Sequence, residues 1–353
     1  MSRGRPRCRD WQGAAEALAK AVPLSRLHPE VRRWADGRNQ AARGVWAIAF
    51  SGGADSLALL LLMWAHWPRH RSRLVALHFN HRLRGAESGR DVRFCRAVCR
   101  GLGVEFRTEA WKRPATAGRN ASEAQAREAR FVFFREQQWR AGARALWLGH
   151  QKDDIAESML MRLARGSGTA GLAAPRPLQA WNETWIHVRP LLGLSKAEIE
   201  VALQACAVPW RSDSTNREPD FLRNRIRQQV LPEWVKAVAG RDALSGAMRS
   251  RELLQEDDEA LERWADDLKA LRGRSVDLKR LAGVPRAVVR RVLQRWRLAL
   301  GERAGDLSRQ GFEALLAAVE RGAPTRLSLG SKGFACIGDF RLSYCEKVTK
   351  SRT

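Results

Sequence analysis

Six residues, Val45–Phe50 (VWAIAF), run directly into Ser51-Gly52-Gly53-Ala54-Asp55-Ser56, and an apolar stretch begins at Leu57. The first run is too short for a helix and reads as a strand buried on both faces. Ser56–Trp67 has helical spacing and stops at Pro68. The same alternation then repeats. Leu74–Phe79, Val104–Thr108 and Ala145–Leu148 read as strands. Residues 87–100, 120–141 and 153–165 read as helices, the second opened by the capping-box spacing of Asn120 and Glu123. Strands alternating with helices predict an α/β fold: a Rossmann-like parallel sheet flanked by helices.

The chain on either side of this series reads differently. Residues 1–42 are basic and Ala-rich, with amphipathic helices expected near 14–22 and 29–43, and form an N-terminal helical extension. Pro175, Pro177 and Pro190 punctuate an irregular stretch, and Ser195 with Glu198 opens another helix to about Cys206. Beyond Pro232 the pattern is helical over 244–271, 285–300 and 307–319, with strand-like alternation only over 326–344. The expected domains are therefore 1–42, 43–235 and a smaller, mainly α-helical unit at 236–353.

Charge narrows the partners. Lys and Arg number 63 against 38 Asp and Glu, a net charge of +25 on 353 residues. An excess of this size points to a polyanion, nucleic acid first. The longest apolar run, Leu57–Ala65, is about half of a membrane span, and the basic N-terminus lacks the apolar core of a secretory signal, so neither membrane nor export is expected. Six cysteines without a C-x2-C pair predict free thiols in a reducing cytoplasm.

The glycine turn carries the chemistry. Gly52 and Gly53 let backbone N–H groups approach an anion, and the following helix adds its positive N-terminal end. Ser51 and Ser56 supply hydroxyls, and Asp55 can face Mg²⁺ beside a phosphate. A plain capped Gly-Gly turn is the competing reading; the six-residue string behind a buried strand favours the phosphate site. No Gly-Lys-Ser/Thr follows, so the string is not a Walker A loop.

SGGADS resembles the loop of the PP-loop ATP pyrophosphatases, and further motifs resemble tRNA(Ile)-lysidine synthases. These are His78–Gly85 (HFNHRLRG) with Glu87 and Ser88, Asn120–Phe131 (NASEAQAREARF), Leu148–Ser158 (LGHQKDDIAES) and Arg165–Leu172 (RGSGTAGL). Arg189–Leu192, Asp213–Asn216 and Phe221–Pro232 (FLRNRIRQQVLP) complete the order, so the likeness spans 45–233. Ser158 stands where Thr is usual, and Gln151 where a second His is common.

The resemblance implies a PP-loop ATPase fold, ATP and Mg²⁺ as cofactors, and a two-step reaction. The wobble cytidine of a CAU-anticodon tRNA(Ile) is adenylated at its C2 oxygen with release of pyrophosphate. The ε-amine of free L-lysine then displaces AMP and leaves lysidine. In this reading Ser51, Gly52, Gly53, Ala54, Asp55, Ser56, His81 and Arg223 bind ATP, and Asp55, Asp153, Asp154, Glu157 and Arg127 are catalytic. Asp153 and Glu157 would grip lysine, and Asp55 and Asp154 would hold Mg²⁺, although spacing alone does not divide the carboxylates between metal and amine. Acidic residues complementing a helix dipole are the competing reading for Asp153, Asp154 and Glu157. Solvated basic faces compete for Arg127, Arg130 and the Arg223–Arg227 cluster, and for Arg286, Arg290, Arg291, Arg295 and Arg297, which would otherwise touch tRNA backbone. Trp181, Trp185 and Trp210 are candidates for stacking a splayed base, with core packing the commoner role for Trp. The resemblance also allows a homodimer. A tRNA thiolase is the nearest enzymatic alternative, disfavoured by the missing C-x2-C pairs; a basic RNA-binding protein with a relict nucleotide fold is the non-enzymatic one.

Overall fold

The computed structural model describes residues 10–37, 40–81, 86–111, 123–181, 184–211, 222–238, 240–301, 307–330 and 333–346. The readings made for Asn120, Arg82–Gly85, Asp213–Asn216 and Phe221 lie outside the described residues. Two compact units divide at Leu253–Leu254.

The first unit opens with helices α1 (Trp11–Ala21), α2 (Pro29–Ala35) and α3 (Gln40–Arg43). The βα series follows: β1 (Trp46–Ala49), α4 (Ala54–His66), β2 (Leu74–Asn80), α5 (Ala86–Leu102), β3 (Glu105–Ala110), α6 (Glu123–Ala141), β4 (Ala145–Trp147) and α7 (Lys152–Leu163). A short α8 (Thr169–Leu172), strands β5 (Leu178–Ala180) and β6 (Ile186–Val188), and α9 (Lys196–Ala205) come next. The sheet order is β3-β2-β1-β4-β6-β5, with every pair parallel except the antiparallel edge β5–β6. The parallel α/β layer is the fold expected from the alternation.

Period-two alternation explains how both faces are covered. Trp46 and Ile48 of β1 join Trp147 of β4, the wholly apolar Leu57–Trp64 of α4, and α5 and α9 in one core cluster. Ala47, Val75, Leu77, Leu146 and Leu148 point the other way, onto Phe133 and Phe134 of α6. The N-terminal segment belongs to the first of these cores. Trp11, Ala15, Leu18 and Val22 bury in the same cluster as α4, and the Asp10 carboxylate accepts the Gly13 N–H at 2.8 Å to start α1.

The strand order reverses between β1 and β4. Connections leave these neighbours in opposite directions, so a crevice opens at their C-terminal ends, the usual ligand position in open parallel sheets. The SGGADS turn lies at the end of β1 and Leu148-Gly149-His150 at the end of β4. Helices α10 (Leu222–Arg225) and α11 (Leu231–Ala237), with a π-helical stretch Ile226–Val230 between them, complete the unit together with the first part of α12 (Ala243–Asp267), whose remainder belongs to the second. Leu231 and Ala247 bury against Ile155 and Ala156 of α7.

The second unit adds an antiparallel sheet to the helices. Strands β7 (Leu271–Arg272), β8 (Ser275–Asp277), β9 (Thr325–Ser328), β10 (Gly333–Gly338) and β11 (Arg341–Glu346) order as β7-β8-β11-β10-β9, beside α13 (Arg286–Leu300) and α14 (Arg309–Arg321). The alternation over 326–344 corresponds to β9–β11; β7 and β8, two and three residues long, carry no readable period. Cys336 and Cys345 form a disulfide between β10 and β11, which corrects the expectation of free thiols throughout; Cys95, Cys99 and Cys206 are free. Four of the α13 arginines are engaged inside the unit: Arg286 and Arg290 with Glu313, Arg291 with Asp258 at 2.6 Å, and Arg295 with Glu262 and Asp266. Among the described residues no helix is long and apolar enough to cross a membrane.

Leu18 is fully buried, so Leu18→Ala should destabilise the first unit by about 2–5 kcal/mol. Urea denaturation followed by tryptophan fluorescence checks this; an unchanged midpoint would mean that α1 packs independently of the sheet.

Candidate active site

The glycine turn is built around one hydroxyl. Ser56 Oγ accepts the backbone N–H groups of Ser51 and Gly52, both at 3.2 Å, lies 3.0 Å from Ser51 Oγ, and donates to the Gly53 carbonyl at 3.1 Å. Gly52 has φ +90°, a conformation that strains any L side chain. A Cβ there would also stand 3.0 Å from Cys95 Sγ. Arg211 supports the turn from outside: its N–H donates to the Gly52 carbonyl at 2.9 Å, and its Nε donates to the buried Asp91 at 2.7 Å.

Gly149 brings the β4 end against this turn. A Cβ at 149 would lie 3.0 Å from the Asp55 carbonyl oxygen and 3.2 Å from Ser56 N. Only a glycine lets the two loops approach so closely. The result is that Asp55 comes within electrostatic reach of Asp154 on α7. Burial and that neighbouring carboxylate push Asp55 up to about 7, and its Oδ1 is buried without a hydrogen-bond partner. An orphaned carboxylate oxygen facing a second carboxylate fits a cation, and Mg²⁺ suits an all-oxygen site beside phosphate. Among the described residues no cluster of three or more His, Cys, Asp or Glu forms a complete metal cage, so any ion would need ligand oxygens from elsewhere.

Asp154 and Glu157 lie one turn apart on α7 and share a face. Both are engaged by two arginines. Arg223 donates from Nε to Glu157 at 2.8 Å and from Nη2 to Asp154 at 2.5 Å. Arg227 donates from Nε to Glu157 at 2.5 Å and from Nη2 to Asp154 at 3.4 Å. Glu157 has no solvent exposure. Burial alone would raise Asp154, but His150, Arg223, the Gln151 N–H and Arg227 outweigh it and hold the group below its ordinary value. Asp154 and Glu157 are buried, and the two partly buried guanidinium groups cover them, so that each charge compensates the others.

Asp153 stands apart. Its carboxylate accepts the backbone N–H of Lys196 at 2.9 Å and so caps the start of α9. The sequence expectation placed it on the same edge as Asp154 and Glu157; a donor 43 residues away captures it instead. Gln151, which stands in place of a second His, completes a capping box on α7: its side chain accepts the Asp153 N–H at 2.5 Å, and its own N–H donates to Asp154 at 2.9 Å.

A neutral polar line borders the charged network. Arg189 Nε donates to His150 Nδ1 at 2.9 Å, leaving the proton of His150 on Nε2. Burial pulls His150 down to about 3, helped by Arg189, Arg223 and Arg127 against Asp154. Arg189 is itself buried and donates to the Arg176 carbonyl at 2.7 Å and to Gln179 at 3.1 Å. Arg127 of α6 lies 5.0 Å over the Phe131 ring, and its charge reaches His150, His187 and Arg189. The arrangement thus joins Asp154, Glu157 and Arg223 by ion pairs and brings His150 and Arg127 within electrostatic reach of one another. His81, at the β2 end, packs against Phe79 at 4.8 Å and Trp111 at 6.3 Å. Buried His78 lies 2.9 Å from the Phe50 carbonyl through Nδ1, a contact made to backbone. Arg227 belongs to the basic cluster that the sequence marks with Arg223; Arg189 falls inside a matched motif without a role attached to it, and nothing local marks Arg211.

The PP-loop domain family matches residues 28–234, more than half of the chain. A tRNA(Ile)-lysidine synthase of Thermobifida fusca is 34% identical over 297 residues, covering 83% of this chain and 88% of that protein. The chain belongs to the tRNA(Ile)-lysidine synthase family. A synthase of Geobacter sulfurreducens is 38% identical over 277 residues, covering 75% of this chain but 56% of that protein. The chain therefore spans little more than half the length of several curated relatives it matches. The U34-tRNA thiolase NcsA from Methanococcus maripaludis, solved with its [4Fe-4S] cluster, superposes with TM-score 0.53 at 15% identity, covering 67% of this chain and 80% of that one. That likeness concerns the fold.

The raised Asp55 predicts a specific pH dependence. The unfolded chain releases this proton near pH 4, whereas the folded one holds it to about 7. Stability therefore falls as pH rises through that window. In EDTA and without nucleotide, Asp55→Asn should stabilise the protein by about 1–3 kcal/mol at pH 8 and by almost nothing at pH 4. Equal effects at the two pH values, by urea denaturation, would contradict the assignment.

Proposed function

We propose that the protein uses ATP to ligate L-lysine to C2 of the wobble cytidine in a CAU-anticodon tRNA(Ile). The observation that carries this is the ion-paired set Asp154–Glu157–Arg223–Arg227, of which Asp154 and Arg227 act electrostatically on Asp55 of the glycine turn. It offers cations for phosphate and carboxylates for an ammonium within one site.

In the first step the cytidine O2 attacks the α-phosphorus of ATP, and pyrophosphate leaves. In the Ser51–Ser56 turn, phosphate oxygens replace Ser56 Oγ as acceptors of the Ser51 and Gly52 N–H groups, beside the α4 N-terminus. Mg²⁺ bound against Asp55 and Asp154 would neutralise charge on the leaving pyrophosphate. Arg223 and Arg227 turn from the carboxylates to the triphosphate, where bidentate guanidinium contacts are strongest. Arg127 faces the adenylate charge, and His150 offers its Nε2–H to an oxygen of the same group.

In the second step the lysine ε-amine attacks C2, and AMP leaves with the O2 oxygen. Once the arginines have turned, Glu157 is a buried acceptor without a cation, and the ε-ammonium takes their place there and beside Asp154. A carboxylate there accepts the proton that the amine must lose before attack. Asp153 takes no part in this scheme, because it caps α9. A reaction that draws on tRNA, ATP and free lysine would run in the cytoplasm.

The test is incorporation of labelled lysine into a tRNA(Ile) transcript with a CAU anticodon. Label should require ATP and Mg²⁺ and should be absent from a tRNA(Met) control with the same anticodon. Release of pyrophosphate with tRNA but without incorporated lysine would overturn the choice of nucleophile and leave an adenylating enzyme of another kind.

A further inference from the structure

The three tryptophans considered as stacking candidates are not equivalent. Trp210 packs against the main core, and Trp185 is half-buried beside the β5–β6 hairpin. Trp181 is 63% exposed, on the edge strand side of the sheet. An exposed indole of this kind is normally loose, yet this one is fixed at three points. Its Nε1–H donates to His187 Nδ1 at 2.9 Å, and its ring meets the His187 ring edge-on at 5.2 Å. Its backbone N–H donates to the Trp185 carbonyl at 2.9 Å, closing the hairpin.

The support continues inward. His187 is buried and stacks on Phe131 at 5.8 Å and 24°. Burial, Arg189 and Arg127 keep His187 neutral, so its Nδ1 remains an acceptor for the indole at any physiological pH. Gln179, across the hairpin from His187 in register, accepts from Arg189, which in turn donates to His150 at the crevice. Arg189 follows β6 directly, two residues after His187. The indole support and the Arg189 contacts to the crevice thus meet in one register pair of the β5–β6 hairpin, and the cations that act on His187 are Arg189 and Arg127.

We propose that Trp181 is a stacking platform for an unpaired nucleobase of the RNA substrate, one that neighbours the base entering the crevice. This rests on the function proposed above and names the residue that recognises a splayed loop. A pre-oriented, exposed aromatic face on a chain of net charge +25 matches the combination that binds single-stranded RNA: stacking for the base and long-range attraction for the backbone. The indole N–H is already paired, so the ring contributes its face and not hydrogen-bond readout; it fixes position without selecting sequence.

The experiment measures binding of a labelled CAU anticodon stem-loop to wild type, Trp181→Phe, Trp181→Leu and Trp181→Ala, together with ATP affinity. Trp181→Ala and Trp181→Leu should both weaken RNA binding roughly ten- to hundredfold, while Trp181→Phe retains most of it and ATP affinity is unchanged in all. Leu restoring binding as well as Phe would replace stacking by plain apolar contact and overturn the proposal. Wild-type affinity in all three variants would overturn it too, leaving the wider function intact. Failure of the wild-type protein to bind the stem-loop would overturn this proposal and the RNA substrate together. Loss of dimerisation in Trp181→Ala without change in RNA affinity would assign the indole to a contact between copies instead.

Discussion

Two buried carboxylates, Asp154 and Glu157, are paired with two partly buried guanidinium groups, Arg223 and Arg227, and the site depends on their mutual compensation. A lone buried charge costs several kcal/mol; a paired set removes most of that cost while remaining able to exchange partners. The network ties the 222–227 segment to α7. It also sets the charge that Asp55 experiences, since Asp154 is the largest electrostatic neighbour raising Asp55. Without the arginines, three carboxylates would crowd one crevice.

The backbone brings these groups together. The reversal of strand order between β1 and β4 opens the crevice, and Gly149 lets the β4 end press onto the first turn of α4. Two kinds of environment then sit side by side. On one side charges are paired and strong; on the other, His150, His187, Gln179 and Trp181 form a line of neutral partners oriented by Arg189. His150 is kept neutral with a defined tautomer, so it is a hydrogen-bond donor and not a competing cation for the arginines.

Much of this was legible in the sequence. A buried strand running into SGGADS and a helix leaves few alternatives, because glycine turns, short apolar runs and helical spacing are local signals. The family motifs also placed Arg127, Asp154, Glu157 and Arg223 near one another. What local spacing could not show was the fate of Asp153. It sits beside Asp154 in the chain, yet the Lys196 N–H at the start of α9 captures its carboxylate, and only the tertiary fold brings that donor near. Strands β5 and β6 escaped notice because three residues each, among prolines, carry no period. The arginines of α13 read as a basic face, whereas their partners, Asp258, Glu262, Asp266 and Glu313, lie on other helices. The exposure of Trp181 is likewise a property of the sheet edge and not of its neighbours in sequence.

The central claim is that the arginines pass from the carboxylates to the triphosphate, so that lysine can bind only after ATP. Isothermal titration of L-lysine, with and without a non-hydrolysable ATP analogue, tests this most directly. The account predicts that the analogue raises lysine affinity by about tenfold or more, and that lysine raises analogue affinity by the same factor. Equal lysine affinity with and without nucleotide would contradict it.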